Sequence, residues 1–204
     1  MKFYFNEKHK LSIKNYNKDD TVENFLEANQ NLLNENPLPC FQCNTNCCQA
    51  GWDIELDIVF INRWTAHKNL SWLEVFNAEV RENKMGRPVL KYDPCRFLDS
   101  QGHCTIYNIR PFICRGYTCY QEGRDYQFMR DMIVYFLNFV LMFKHEKYKS
   151  LQSYEKLGQK YDIIKNNNLP LEKNDYDIRL DNLFYSLKSI VSEKKYDYYV
   201  SRFK

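Results

Sequence analysis

The chain has 204 residues, 44% of them apolar, and its 29 basic and 26 acidic side chains are mixed along the sequence to a net charge of +3. With no basic run or stripe, there is no electrostatic footprint for nucleic acid. The apolar share, which includes 16 Tyr and 14 Phe, is enough for the core of one domain with helical extensions.

Met1–Lys10 is charged and has neither the apolar stretch nor the small-residue cleavage site of a secretory signal. A short strand is expected at Phe3–Phe5. Asp20-Thr21-Val22-Glu23 reads as a capping box that opens a helix, with Val22, Phe25, Leu26, Leu32 and Leu33 on its apolar side and Asn36-Pro37 at its end. A cysteine-rich loop follows between Pro39 and Gly51. Ile54-Glu55-Leu56 reads as extended, and Asp57 caps a helix that carries Ile58, Ile61 and Trp64.

Ser71-Trp72-Leu73-Glu74 is a second capping box, for a helix with Trp72, Val75, Phe76 and Val80 inward that Gly86 and Pro88 break. Residues 89–119 are punctuated by Asp93-Pro94, Ser100-Gln101-Gly102 and Arg110-Pro111, so turns and short irregular pieces are expected there. The chain becomes helical again from Arg130. The apolar run Met132–Phe143 is twelve residues long, against the roughly 20 needed to cross a bilayer. Lys144, Lys147 and Lys149 then suit a helix C-terminus. After a loop at Asn166–Pro170, residues 178–191 form an amphipathic helix. A soluble, cytoplasmic protein without a membrane span is the expectation, with its cysteines in a reducing compartment.

All eight cysteines lie in two groups, Cys40, Cys43, Cys47 and Cys48, then Cys95, Cys104, Cys114 and Cys119. Thiolate is a soft ligand for zinc, iron or copper(I). In Cys40-x-x-Cys43 two sulfurs reach one ion from a tight turn, and Cys47 completes a three-point grip. The neighbouring side chains of Cys47 and Cys48 diverge. That leaves one of the pair to bridge to a second ion, face another part of a cluster, or remain a free thiol. Buried thiols or disulfides do not require this spacing, so metal binding is the stronger reading.

Arg96, Arg110 and Arg115 sit beside the second group and are candidates to offset thiolate charge. His9, His67, His103 and His145 form no H-x(3–5)-H pair, and His103 reads as a turn residue. Asp53, Glu55, Asp57, Asp93 and Asp99 read as caps and turn acceptors. Tyr107, Arg110 and Pro111 read as structural, so no catalytic residue is assigned.

The runs C-F-Q-C-N-T-N-C-C, P-C-R-F-L and C-T-I-Y-N-I-R-P-F-I-C-R resemble the YkgJ-type cysteine-cluster proteins of bacteria and archaea. That family's pattern is C-x2-C-x(2–3)-C-C, then C-x-F-L, then C-x-I-Y-x2-R-P-x2-C-R. The resemblance spans Cys40 to Arg115. It implies a zinc- or iron-chelating domain with Cys40, Cys43, Cys47, Cys48, Cys95, Cys104 and Cys114 as ligands; Cys119, beyond the core pattern, is the eighth candidate metal ligand. A similar pattern in flagellin lysine N-methylases implies the alternative of an iron–sulfur or non-haem iron enzyme. No glycine-rich nucleotide loop supports it here.

The fold expected is mainly α, a single helical domain around an irregular cysteine-rich metal-binding core. Residues 1–39 would be an N-terminal helical extension, 40–119 the cysteine domain, and 120–204 helices packed on the same core. The cofactor expected is zinc or iron, including an iron–sulfur cluster. The partner expected is a protein or small molecule of unspecified identity.

Overall fold

The computed structural model describes residues 1–36, Cys48, 52–92, 94–149 and 171–190. The fold is mainly α, with six α-helices and two small antiparallel hairpins among these residues. The first hairpin pairs β1 (Lys2–Phe5) with β2 (Leu11–Lys14), Phe3 opposite Ile13. The strand expected at Phe3–Phe5 is therefore present, and its partner is one that apolar alternation alone did not reveal. Asn6 closes the hairpin, its side-chain oxygen accepting the N–H groups of Lys8 and Lys10.

Helix α1 (Val22–Glu35) starts one residue later than the capping box expected from Asp20. Thr21 is the N-cap and exchanges hydrogen bonds with Asn24, because the short amide reaches back as a Gln would in the usual box. Asp20 instead binds the N-terminal ammonium and the Asn17 N–H. Phe25 of α1 meets Phe3 edge-on at 5.0 Å, and Tyr126 meets Phe3 at 5.1 Å. These T-shaped contacts seat the hairpin on the core.

Helix α2 (Ile58–Lys68) is capped by Asp57, as expected, and α3 (Trp72–Glu79) by the Ser71–Glu74 box. Chain after α3 does not run on to Gly86 as a broken helix. It turns at Glu79 into β3 (Val80–Glu82), which pairs with β4 (Pro88–Leu90). Gly86, at φ +71°, supplies the left-handed turn between them. Leu56 donates its N–H to Pro88 O, and Ile54 O accepts the Leu90 N–H. The expected extended piece at 54–56 thus lies along β4.

Helix α4 (Phe112–Gly116) is short, and α5 (Arg124–Lys149) is the longest element. The helix expected from Arg130 begins at Arg124, and the Gly123 carbonyl accepts the Gln127 N–H of its first turn. An ideal Cβ at Gly123 would stand 2.5 Å from Ser12 Oγ and 2.7 Å from Leu11 O. Gly123→Ala is therefore expected to destabilise the fold by about 1–3 kcal/mol, read from a urea denaturation midpoint. A stability equal to wild type would show that β2 can withdraw at no cost.

Tyr126, Met129, Ile133, Phe136, Leu137, Val140 and Leu141 recur at helical spacing on α5 and are buried. The expected apolar stripe at 132–143 is thus core. Lys144 does not serve as an exposed cation at the helix end. It is buried and donates to Asn62 Oδ1, Leu171 O and Glu172 Oε2. Helix α6 (Leu180–Ile190) buries Leu180, Leu183 and Leu187. The expected loop at 166–170 lies outside the described residues. No described helix is long and apolar enough to cross a membrane.

Candidate metal centre

Cys48, Cys95, Cys104 and Cys114 line one cavity of about 170 Å³. They come from a turn, both sides of a tight loop, and a helix. Cys48 belongs to the first cysteine group and the other three to the second, so the two groups meet here. Cys95 donates its N–H to Cys48 O at 3.1 Å, which ties the groups through the backbone.

The loop that follows Cys95 owes its shape to Asp99. One oxygen of this carboxylate accepts the N–H groups of Gln101 and His103, and Gly102 takes the left-handed φ of +82°. Leu98 and Cys104 face each other across the loop as an isolated bridge. Thr105 closes its base by donating N–H and hydroxyl to Phe97 O. His103 is exposed beside Asp99, as a turn residue would be.

Cys114 sits on α4, whose N-cap is Pro111 and has no side chain to accept the first N–H groups. Asp57 supplies the acceptor from another element. Its Oδ2 takes the Phe112 N–H at 2.7 Å, its Oδ1 takes the Phe60 N–H at 2.9 Å, and the Tyr176 hydroxyl lies 3.2 Å from both oxygens. Burial raises the Asp57 carboxyl above its ordinary range, and these donors oppose that rise only in part. Every partner donates, which is the environment of an ionised carboxylate.

The cavity walls are apolar, with Leu56, Leu90, Phe97 and Ile106 all buried. Burial pushes the Cys114 thiol well above its ordinary range, nearby Cys48 adds to this, and the Arg110 guanidinium opposes it. Burial likewise raises Cys95, against the Phe97 N–H that points at its sulfur. Without a cation, such thiols keep their protons. A soft metal ion reverses that balance, because it binds only the thiolate.

The donor set fits zinc or iron in kind. The cavity far exceeds the roughly 10–15 Å³ that one water needs, so size admits a single ion or a cluster. Among the described residues, no three or more Cys, His, Asp or Glu side chains already converge as a metal-holding group. Cys40, Cys43 and Cys47, along with Asp93, lie outside the described residues. Cys119 is exposed and does not line the cavity.

Of the three arginines beside the second group, Arg110 alone lines the cavity. Its Nε donates to Tyr107 O at 2.9 Å and its guanidinium stacks 3.5 Å over the Tyr107 ring. Arg96 pairs with Glu79 at 3.5 Å, and Arg115 with Glu23 at 2.6 Å. Asp53 and Glu55 pair with Arg81 and Arg87. His67 stacks on Trp64 and His145 on Phe76, so both serve packing.

Sequence reasoning passed over Trp52 and Tyr117, which meet edge-on at the cavity wall with ring centres 6.4 Å apart. It also passed over Tyr176 and the second duty of Asp57. One signal was available for the latter. A helix opening Pro-Phe-Ile-Cys has no Ser, Thr, Asp or Asn at its cap, so its first N–H must find an acceptor elsewhere.

No curated protein and no solved structure matches the chain. Residues 39–132 match the model of the CxxCxxCC family, described as "Putative zinc- or iron-chelating domain".

Proposed function

We propose that this protein binds zinc or iron through clustered thiolates, with Cys48, Cys95, Cys104 and Cys114 among the ligands. The observation that carries this reading is an apolar cavity lined by these four thiols from both cysteine groups. Cys40, Cys43 and Cys47 complete the shell in this reading, and Cys119 stands outside it. The bound metal supplies charge to hold the thiolates and cross-links three stretches of chain. Arg110 offsets part of the negative charge that four thiolates bring, and the Phe97 N–H does the same at Cys95. The surrounding helices hold these loops as one metal-binding unit.

The test is elemental analysis with a visible spectrum on full-length protein purified without oxygen. Zinc or iron at one equivalent or more per chain is the expected result. Zinc without colour identifies a zinc site rather than an iron–sulfur cluster. Iron with matching acid-labile sulfide and a broad band near ~400 nm identifies a cluster. Protein that is folded and carries neither metal, even after anaerobic reconstitution with each, overturns the proposal.

A further inference from the structure

Helix α4 has only five residues, too few to hold its own shape in water. Its position is therefore set by what grips it. On one side Cys114 enters the thiol-lined cavity. At its start, Phe112 is held by Asp57, and Asp57 in turn receives the Tyr176 hydroxyl.

Tyr176 belongs to a segment far along the chain that docks at the same junction. Its carbonyl accepts the Glu23 N–H at 2.9 Å, Ile178 O accepts the Val22 N–H at 2.9 Å, and the Leu180 N–H reaches Asp20 O at 2.9 Å. The guanidinium of Arg115, next to Cys114, pairs with Glu23 and lies 5.4 Å from the Tyr176 ring centre. The Phe112 ring meets the Tyr176 ring at 6.1 Å.

We propose that Asp57 and Tyr176 are positioning residues for Cys114, so that metal occupancy and the docking of residues 171–190 on α1 and α4 strengthen each other. The proposal rests on Cys114 being a metal ligand. Metal bound at Cys114 fixes α4, and the junction then docks onto a partner whose ordering has already been met. Linkage makes the effect reciprocal: the docked segment raises metal affinity by the factor by which metal favours docking.

The test uses the full chain, loaded with the metal it purifies with or stripped of it. Tyr176→Phe removes one hydroxyl and keeps the ring. It is expected to weaken metal binding by about tenfold in competition with a chromogenic chelator, at the low end for residues that orient a ligand from behind. Amide exchange at Val22, Glu23 and Leu180 is expected to slow on metal loading in wild type, and to slow less in Tyr176→Phe. Ser71→Ala, which removes the α3 cap, serves as a control for stability alone and should leave metal affinity unchanged. Wild-type affinity in Tyr176→Phe, with equal exchange in loaded and stripped wild type, overturns the coupling. Full metal content in Cys114→Ser would instead overturn the ligand assignment beneath it.

Discussion

Cys114→Ser is expected to lose at least half of its bound metal and to melt about 10 °C lower than wild type. A serine hydroxyl is a hard, weakly acidic donor and does not replace thiolate at zinc or iron. Binding at structural zinc sites amounts to about 10–16 kcal/mol in zinc-finger peptides, and that free energy is also folding free energy. Losing one ligand forfeits part of it. A loss of about 4 kcal/mol lowers the melting temperature by about 10 °C in a chain of this size. Cys43→Ser, in the first group, is expected to behave in the same way. Cys119→Ser should keep its metal and melt within about 2 °C of wild type, because Cys119 is exposed and outside the cavity. Metal analysis and thermal melts on the three variants decide the matter. Equal metal loss in Cys119→Ser and Cys114→Ser would put Cys119 among the ligands. Full metal retention in both Cys43→Ser and Cys114→Ser would remove the thiols from the site.

Much of the helical frame was legible because its signals are local. Asp57 and Ser71 cap helices where their side chains predict it, and the stripe on α5 recurs at helical spacing. The misses occur where tertiary contacts decide. The hairpin of β1 and β2 is held by Phe3 packing on Phe25 and Tyr126, which are distant in sequence. Hairpin β3–β4 uses a three-residue strand on each side, too short to show alternation. Lys144 looked like a helix-end cation and proves to be a buried donor whose acceptors, apart from Asn62, come from residues 171–172.

The cysteine groups were legible as chemistry before they were legible as a place. Spacing makes Cys40-x-x-Cys43 a candidate metal-binding pair, but no spacing rule says that Cys48 meets Cys95, Cys104 and Cys114. Two local features achieve that meeting, the Cys95 N–H bond to Cys48 O and the Asp99 turn. Neither could be ranked above other turns from sequence alone. Arg110 could not be separated from Arg96 and Arg115 either, since all three flank cysteines. The structure separates them by their partners, Glu79 for Arg96 and Glu23 for Arg115.

Asp57→Ala is expected to cost about 3–5 kcal/mol of folding free energy, measured by urea denaturation of the metal-stripped protein. The side chain is 2% exposed as part of the residue and accepts from Phe60, Phe112 and Tyr176. Alanine removes both acceptor oxygens at once and leaves two N–H groups and one hydroxyl in an apolar interior. Each stranded donor costs about 1–3 kcal/mol, and loss of an N-cap alone costs about 1. Relaxation and water entry recover part of that sum. Against a total stability of about 5–15 kcal/mol for a typical domain, the remainder is a large share. Asp57→Asn should cost less, because its one carbonyl oxygen still accepts while its amide N–H₂ confronts a donor. Tyr176→Phe removes a single hydroxyl and should cost about 1 kcal/mol. The ordering Ala, then Asn, then the Tyr176 variant follows from the number of donors left without an acceptor. If Asp57→Ala were within about 1 kcal/mol of wild type, those donors must find water, and the junction of α2, α4 and residue 176 would be open rather than sealed.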